Sequence, residues 1–114
     1  MATGMPAITP QTTLIGMYSY LIEELSKAIG ARLLVQFDYN GKVYIVEPHL
    51  VGHNHKHQDC LCAWLANDAE AKNNWNFFLL SNIKNLKLLD ERFFKHRPGY
   101  DPYDNSMSRI YYRI

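Results

Sequence analysis

Cysteine is nearly absent from this chain: Cys60 and Cys62 are the only two. Their spacing in an alternating run points both side chains to one face of an extended strand, where near neighbours are poorly placed for a disulfide. Two buried thiols in a reducing compartment follow from that reading, which places the protein in the cytoplasm. Long apolar runs are missing as well, and none approaches the roughly 20 residues that span a bilayer. The opening MATGMPAITP lacks the charged start and apolar stretch of a signal peptide, so no membrane partner is expected. Nor is there an excess of one charge. Lys+Arg 12 against Asp+Glu 11 leaves a formal net charge of +1, which removes the simplest argument for a nucleic-acid binder, a strongly basic domain. A local basic patch stays open. No Gly-rich phosphate loop is present, and neither a nucleophile elbow nor a Cys–His arrangement can be read. The carboxylate neighbours Glu23-Glu24 and Asp90-Glu91 point apart in any regular element. The chain reads as a non-enzyme without a cofactor.

What is present fits one domain. At 114 residues there is room for one modest core and not for two, and 47% hydrophobic residues argue against disorder. The organising stretch is Arg32 to Leu50, RLLVQFDYNGKVYIVEPHL. Leu33, Val35, Phe37 and Tyr39 fall on one face and Arg32, Gln36 and Asp38 on the other, the period of a half-buried strand. Asn40-Gly41 supplies the two positive-φ residues of a type I′ turn. Val43 to Val46 form the return strand, and Pro48, with no N–H to donate, is expected to end regular pairing.

Around that hairpin the order is readable. Residues 1–12 form a small, polar, Pro-interrupted N-terminus expected to be mobile. Thr12 or Thr13 can N-cap a helix whose apolar stripe is Leu14, Met17, Tyr18, Leu21, Ile22, Leu25 and Ile29, with Gly30 suited to the left-handed residue after its end. VGHNHKHQ (51–58) reads as a loop or strand extension. DCLCAWLA (59–66) is apolar on both faces, as a central strand is, and WNFFLL (75–80) is a fourth strand. A short turn and a fifth strand follow within 81–90. Pro98-Gly99 and Asp101-Pro102 mark turns, and Ile110, Tyr112 and Ile114 alternate with Tyr111 and Arg113 as a closing strand would. One helix followed by short antiparallel strands predicts a mainly β (α+β) domain built as a small barrel or sandwich.

Several side chains are candidates for chemistry. His53, His55 and His57 alternate, so on an extended segment the three imidazoles face one way, and with Asp59 they could ligate Zn²⁺. The competing reading is a solvated polar loop. Trp64 and Trp75 could stack bases, against the alternative of core packing. Tyr100, Tyr103, Tyr111 and Tyr112 interleave with Arg109 and Arg113, a pattern that strand closure or a subunit contact also explains.

A family resemblance enters through a set of ordered motifs. These are the helix ending in Ala28-Ile29, Phe37-x-Tyr39, Val46-Glu47-Pro48-His49-x-x-Gly52, a strand ending in Ala63-Trp64, Phe78 through Ile83, and Leu88-Leu89-Asp90 with Phe93. From about Leu21 to Phe94 the chain resembles the WYL domain of bacterial regulators. The resemblance implies an SH3-like or Sm-like antiparallel β-barrel after the helix. It divides the chain into a WYL-like domain at 13–95 and a Tyr-rich tail at 96–114. It also implies a groove that takes nucleic acid or a nucleotide-like ligand, with Tyr39 and His49 as contacts and Asn82 where the family has Arg. Apart from the resemblance, Lys42 at the tight turn is a candidate phosphate anchor, against the alternative of a solvated tip. The family's Trp-Tyr-Leu aligns with Asp59-Cys60-Leu61, and its two groove arginines align with Leu79 and Asn82. Arginine is the natural bidentate partner of phosphate. In strict register Tyr39 and His49 fall on opposite faces, so sharing a groove needs a bulge near Glu47-Pro48.

The expected function is a regulatory sensor acting in trans, because one helix ahead of the hairpin leaves no space for a helix-turn-helix. A protein carrying a DNA-binding domain is then the natural partner. The alternative is an assembly module, for example a homodimer built on the sheet edge and the tail. A third reading is metal binding through the histidine loop.

Overall fold

The computed structural model describes residues 10–67 and 74–114, with helix side chains from Ser19 onward. The expectations for 1–9 and for the turn at 68–73 lie outside the described residues. Helix α1 spans Pro10–Ala31, starting before the Thr12 or Thr13 expected as its cap; proline tolerates the first helical position because its missing N–H would be unpaired there anyway. Leu25, Ala28 and Ile29 are fully buried on its inner face. The helix also ends later than expected. Gly30 remains helical, and Arg32, at φ 60°, takes the left-handed position. Its Nη1 donates back to the Ile29 carbonyl at 2.6 Å. Gly30 matters for another reason. A Cβ there would meet the Tyr112 hydroxyl at 3.1 Å, so its small size lets the C-terminal strand pass close by.

Strand β1 (Leu33–Tyr39) and β2 (Lys42–Asn54) form the expected hairpin. Tyr39 pairs with Lys42, and Asn40 and Gly41 have φ 51° and 80°, as a type I′ turn requires. β3 (Asp59–Leu65), β4 (Trp75–Leu79), a 3₁₀ turn (Leu80–Asn82), β5 (Ile83–Arg92) and β6 (Met107–Arg113) complete the chain. The strands make one six-stranded antiparallel sheet in the order β4-β3-β2-β1-β5, with β6 also on β2. Among the described residues no ladder joins β4 to β5, so the sheet is open.

Pro48 does not end β2. It stays in the strand opposite Ala63, with a bulge between Pro48 and Leu50. The reason is its place: β1 leaves β2 after Val46, and β6 joins the same edge only from Leu50. A residue without an N–H fits the gap between two partners.

Two apolar clusters lie on opposite faces of β2 and β3. The larger, under α1, centres on Leu25, Ile29, Val35, Phe37, Val51, Leu61 and Phe78. The smaller holds Leu50, Cys60, Cys62 and Met107, with Trp75, Tyr100 and Ile110 against it. Both cysteines are free and buried and share one face, as their spacing implied. Burial pushes the Cys60 thiol up to about 11 and the Cys62 thiol to about 12, which keeps both protonated and unreactive.

Candidate functional site

The gap in β2 between Val46 and Leu50 builds the most developed site. With neither β1 nor β6 alongside, the backbone of 47–49 finds other partners. His49 Nδ1–H donates to the Glu47 carbonyl at 2.8 Å, and Ile114 N–H donates to the His49 carbonyl at 2.9 Å. The segment after β5 crosses this gap. Arg97 N–H donates to His49 Nε2 at 3.1 Å, and the Arg97 guanidinium grips the Glu47 carboxylate with Nε and Nη2 at 2.7 and 2.6 Å. Phe93, Trp75 and Tyr100 surround the His49 ring at centroid distances of 5.2, 4.7 and 5.1 Å. Trp75 Nε1–H donates to the Pro98 carbonyl at 2.8 Å. His49 is therefore a fully buried neutral imidazole with both nitrogens in use. Burial, opposed by the Glu47 carbonyl bond, lowers its pKa.

Between this segment and the sheet lies a cleft of about 780 Å³, lined by Leu34, Glu47, Trp64, Leu65 and residues 91–98. Arg97 sits 5.3 Å from the Trp64 ring centroid. Phe94 is 89% exposed, and Arg92 and Lys95 on either side make no ion pair among the described residues. The lining thus offers an open aromatic face, two cations and one carboxylate, Glu91, without an ion pair among the described residues, and a guanidinium whose Nη1 is not used on Glu47.

The residues singled out in the sequence do not assemble in one groove. Tyr39 packs edge-on to Phe37, Tyr44 and Phe78, and its hydroxyl accepts the Leu79 N–H at 3.0 Å. Lys42 lies at the turn with Nζ 5.4 Å from the Tyr44 ring. Asn82 lines a hollow of about 150 Å³ with Asp38, Asn40, Gly41 and Lys84. These three gather at the hairpin end, whereas His49 braces the cleft from behind and offers no free nitrogen. The bulge exists, one residue later than anticipated, but it does not bring Tyr39 and His49 to shared ring neighbours. Trp64 and Trp75 are both half-buried and meet edge-on at 5.4 Å, Trp75 packing against the smaller cluster and Trp64 forming a cleft wall.

The three histidines do not face one way. β2 stops at Asn54, the chain turns, and His57 is left-handed at φ 64°, so the extended alternation ends after His53. His53 Nδ1–H donates to Asp59 Oδ1 at 2.8 Å, and His55 Nε2–H to the Asn105 carbonyl at 3.0 Å. Among the described residues no three His, Cys, Asp or Glu side chains are grouped to hold a metal ion.

The segment that lines the cleft was not anticipated from the sequence. Its signal was the run Arg92-Phe93-Phe94-Lys95-His96-Arg97, basic and aromatic residues interleaved directly after a strand. Fold and site together define a class: a mainly β domain with, among the described residues, one α-helix, an open antiparallel sheet and a cleft beside it lined by charged and aromatic side chains. No protein-family model, curated protein or solved structure matches the chain. Among the described residues no helix is long and apolar enough to cross a membrane.

Proposed function

We propose that this chain is a non-catalytic regulatory module that binds a small nucleotide-like ligand, or a segment of nucleic acid, in the cleft beside residues 91–98. In this reading it acts in trans, through a partner carrying a DNA-binding domain, in a reducing cytoplasm. The observation that carries it is the cleft surface, whose lining includes exposed Phe94 together with Arg92 and Lys95. An aromatic face flanked by cations suits a base and its phosphate. The barrel-like part of this reading draws support from the chain path. The order β4-β3-β2-β1-β5, with β4 and β5 joined by one 3₁₀ turn and Leu79 tied to Tyr39, is the arrangement expected of a small SH3-like or Sm-like barrel left partly open.

A thermal-shift screen with mono- and dinucleotides and short single-stranded RNA and DNA oligomers tests this, because ligand binding to the native state raises Tm by mass action. The expected result is a shift that Phe94→Ala and the double substitution Arg92→Ala/Lys95→Ala abolish and Lys42→Ala leaves intact. It should also weaken steeply as salt rises. The absence of a shift with every ligand sinks the reading. A second reading, self-assembly, rests on exposed Phe77, Tyr103 and Tyr112 at 51, 75 and 44%. It predicts dimers on a sizing column that persist at high salt, since apolar association is not screened.

A further inference from the structure

The end of β2 and the turn after it carry three histidines, of which His53 and His57 lie near each other. His53 stands opposite Asp59 across the two strands, and its Nδ1–H donates to Asp59 Oδ1 at 2.8 Å. Tyr111, on β6, donates its hydroxyl to that same oxygen at 2.8 Å. A carboxylate that holds one ring nitrogen in this way fixes the tautomer, leaves Nε2 with its lone pair, and makes it a better ligand. The His53 side chain remains 31% exposed. Across the turn, the His57 ring centroid lies 6.0 Å from that of His53.

His57 is an unexpected residue for its position. Its N–H closes the turn onto the Asn54 carbonyl at 3.1 Å, with φ at 64°, a conformation that glycine adopts without cost and a side chain does not. Turn geometry alone would favour glycine. His55 is directed elsewhere, toward Asn105.

We propose that His53 and His57 together bind a divalent metal ion of the imidazole-selecting kind, Zn²⁺, Cu²⁺ or Ni²⁺, with Asp59 and Tyr111 orienting His53. Two imidazoles sharing an ion at about 2.0–2.1 Å per bond place their ring centroids about 5–6 Å apart, which the observed spacing approaches. The His53 side chain is part-exposed, so water can complete the shell from the solvent side; a hollow of about 360 Å³ beside the turn is lined by His57 and Asp59 but not by His53. Nitrogen donors with water favour these ions over Mg²⁺ or Ca²⁺. The site is separate from the cleft and uses none of its residues.

Calorimetric titration of the untagged protein with Zn²⁺, and separately with Cu²⁺, at neutral pH is the test. One ion per chain is expected, with affinity reduced at least about ten-fold by His53→Ala and by His57→Gly and unchanged by His55→Ala. His57→Gly should also raise the metal-free Tm, because it relieves the left-handed backbone. A more stable protein that no longer binds metal cannot be explained by misfolding. Absence of binding to the unaltered protein, full affinity in His57→Gly, or equal loss in all three variants overturns the proposal; equal loss would identify a flexible histidine loop instead.

Discussion

His49 shows how one side chain can join distant parts of a small protein. Its neutral ring donates to the Glu47 carbonyl and accepts from Arg97 N–H, and protonation would set two N–H groups against each other at Nε2. Burial, the main cause, lowers its pKa from the ordinary histidine value of 6.5. The unfolded chain therefore takes up the proton first as pH falls, and stability rises with pH wherever the unfolded state binds more protons. The contribution of His49 is complete above about pH 6.5 and is lost as pH falls from there through the folded-state value. Melting temperatures measured across that range should fall more steeply for the natural protein than for His49→Gln. Parallel curves would show that the ring is not held neutral. The sequence marked His49 through Val46-Glu47-Pro48-His49, yet its role depends on Arg97, 48 residues away, a partner that no local pattern announces.

Strands here are shaped by where the backbone must turn or be approached, and two glycines separate these demands. Gly41 has φ 80°, and a Cβ added there would find nothing within 4 Å, so Gly41→Ala should cost only the left-handed penalty, about 1–2 kcal/mol. Gly52 has ordinary backbone angles, but a Cβ would lie 2.5 Å from the Arg109 carbonyl oxygen of β6. Gly52→Ala must push one strand from the other, at about 1–3 kcal/mol. Urea denaturation gives both costs. Amide exchange tells them apart, because only Gly52→Ala should speed exchange in residues 107–113. The Asn40-Gly41 turn was legible because its requirement is local. The passage of β2 through Pro48 was not, because it depends on β1 leaving and β6 arriving along one edge.

The whole domain rests on β2 and β3, which carry a cluster on each face. Phe37 is fully buried in the larger one, with Phe78 edge-on at 5.0 Å. Phe37→Ala should cost about 3–5 kcal/mol, a large share of the roughly 5–15 kcal/mol that holds a domain folded. Met107, in the smaller cluster, touches the Cys60 thiol with sulfur atoms 3.7 Å apart, and Met107→Ala should cost about 2 kcal/mol. Since both clusters share the same strands, each variant should unfold in one transition seen alike by tryptophan fluorescence and circular dichroism. Separate transitions for Met107→Ala would divide the molecule into two units.

Local pattern was enough for the elements: the helix and the apolar face of its second half (the side chains of Leu14, Met17 and Tyr18 lie outside the described residues), the hairpin and its register, the shared face of Cys60 and Cys62, and the short turn before β5. Each follows from a period, a turn pair or a spacing within a few residues. Assembly of the sheet was needed to establish that β6 replaces β1 along β2, that His49 is fastened inside, and that residues 92–97 line a cleft. It also separated His53 and His57 from His55. These outcomes depend on which distant groups satisfy a backbone left unpaired in the middle of β2 and at its end. Hydrogen bonding must be completed wherever burial excludes water, but the choice among distant partners is made only when the strands come together.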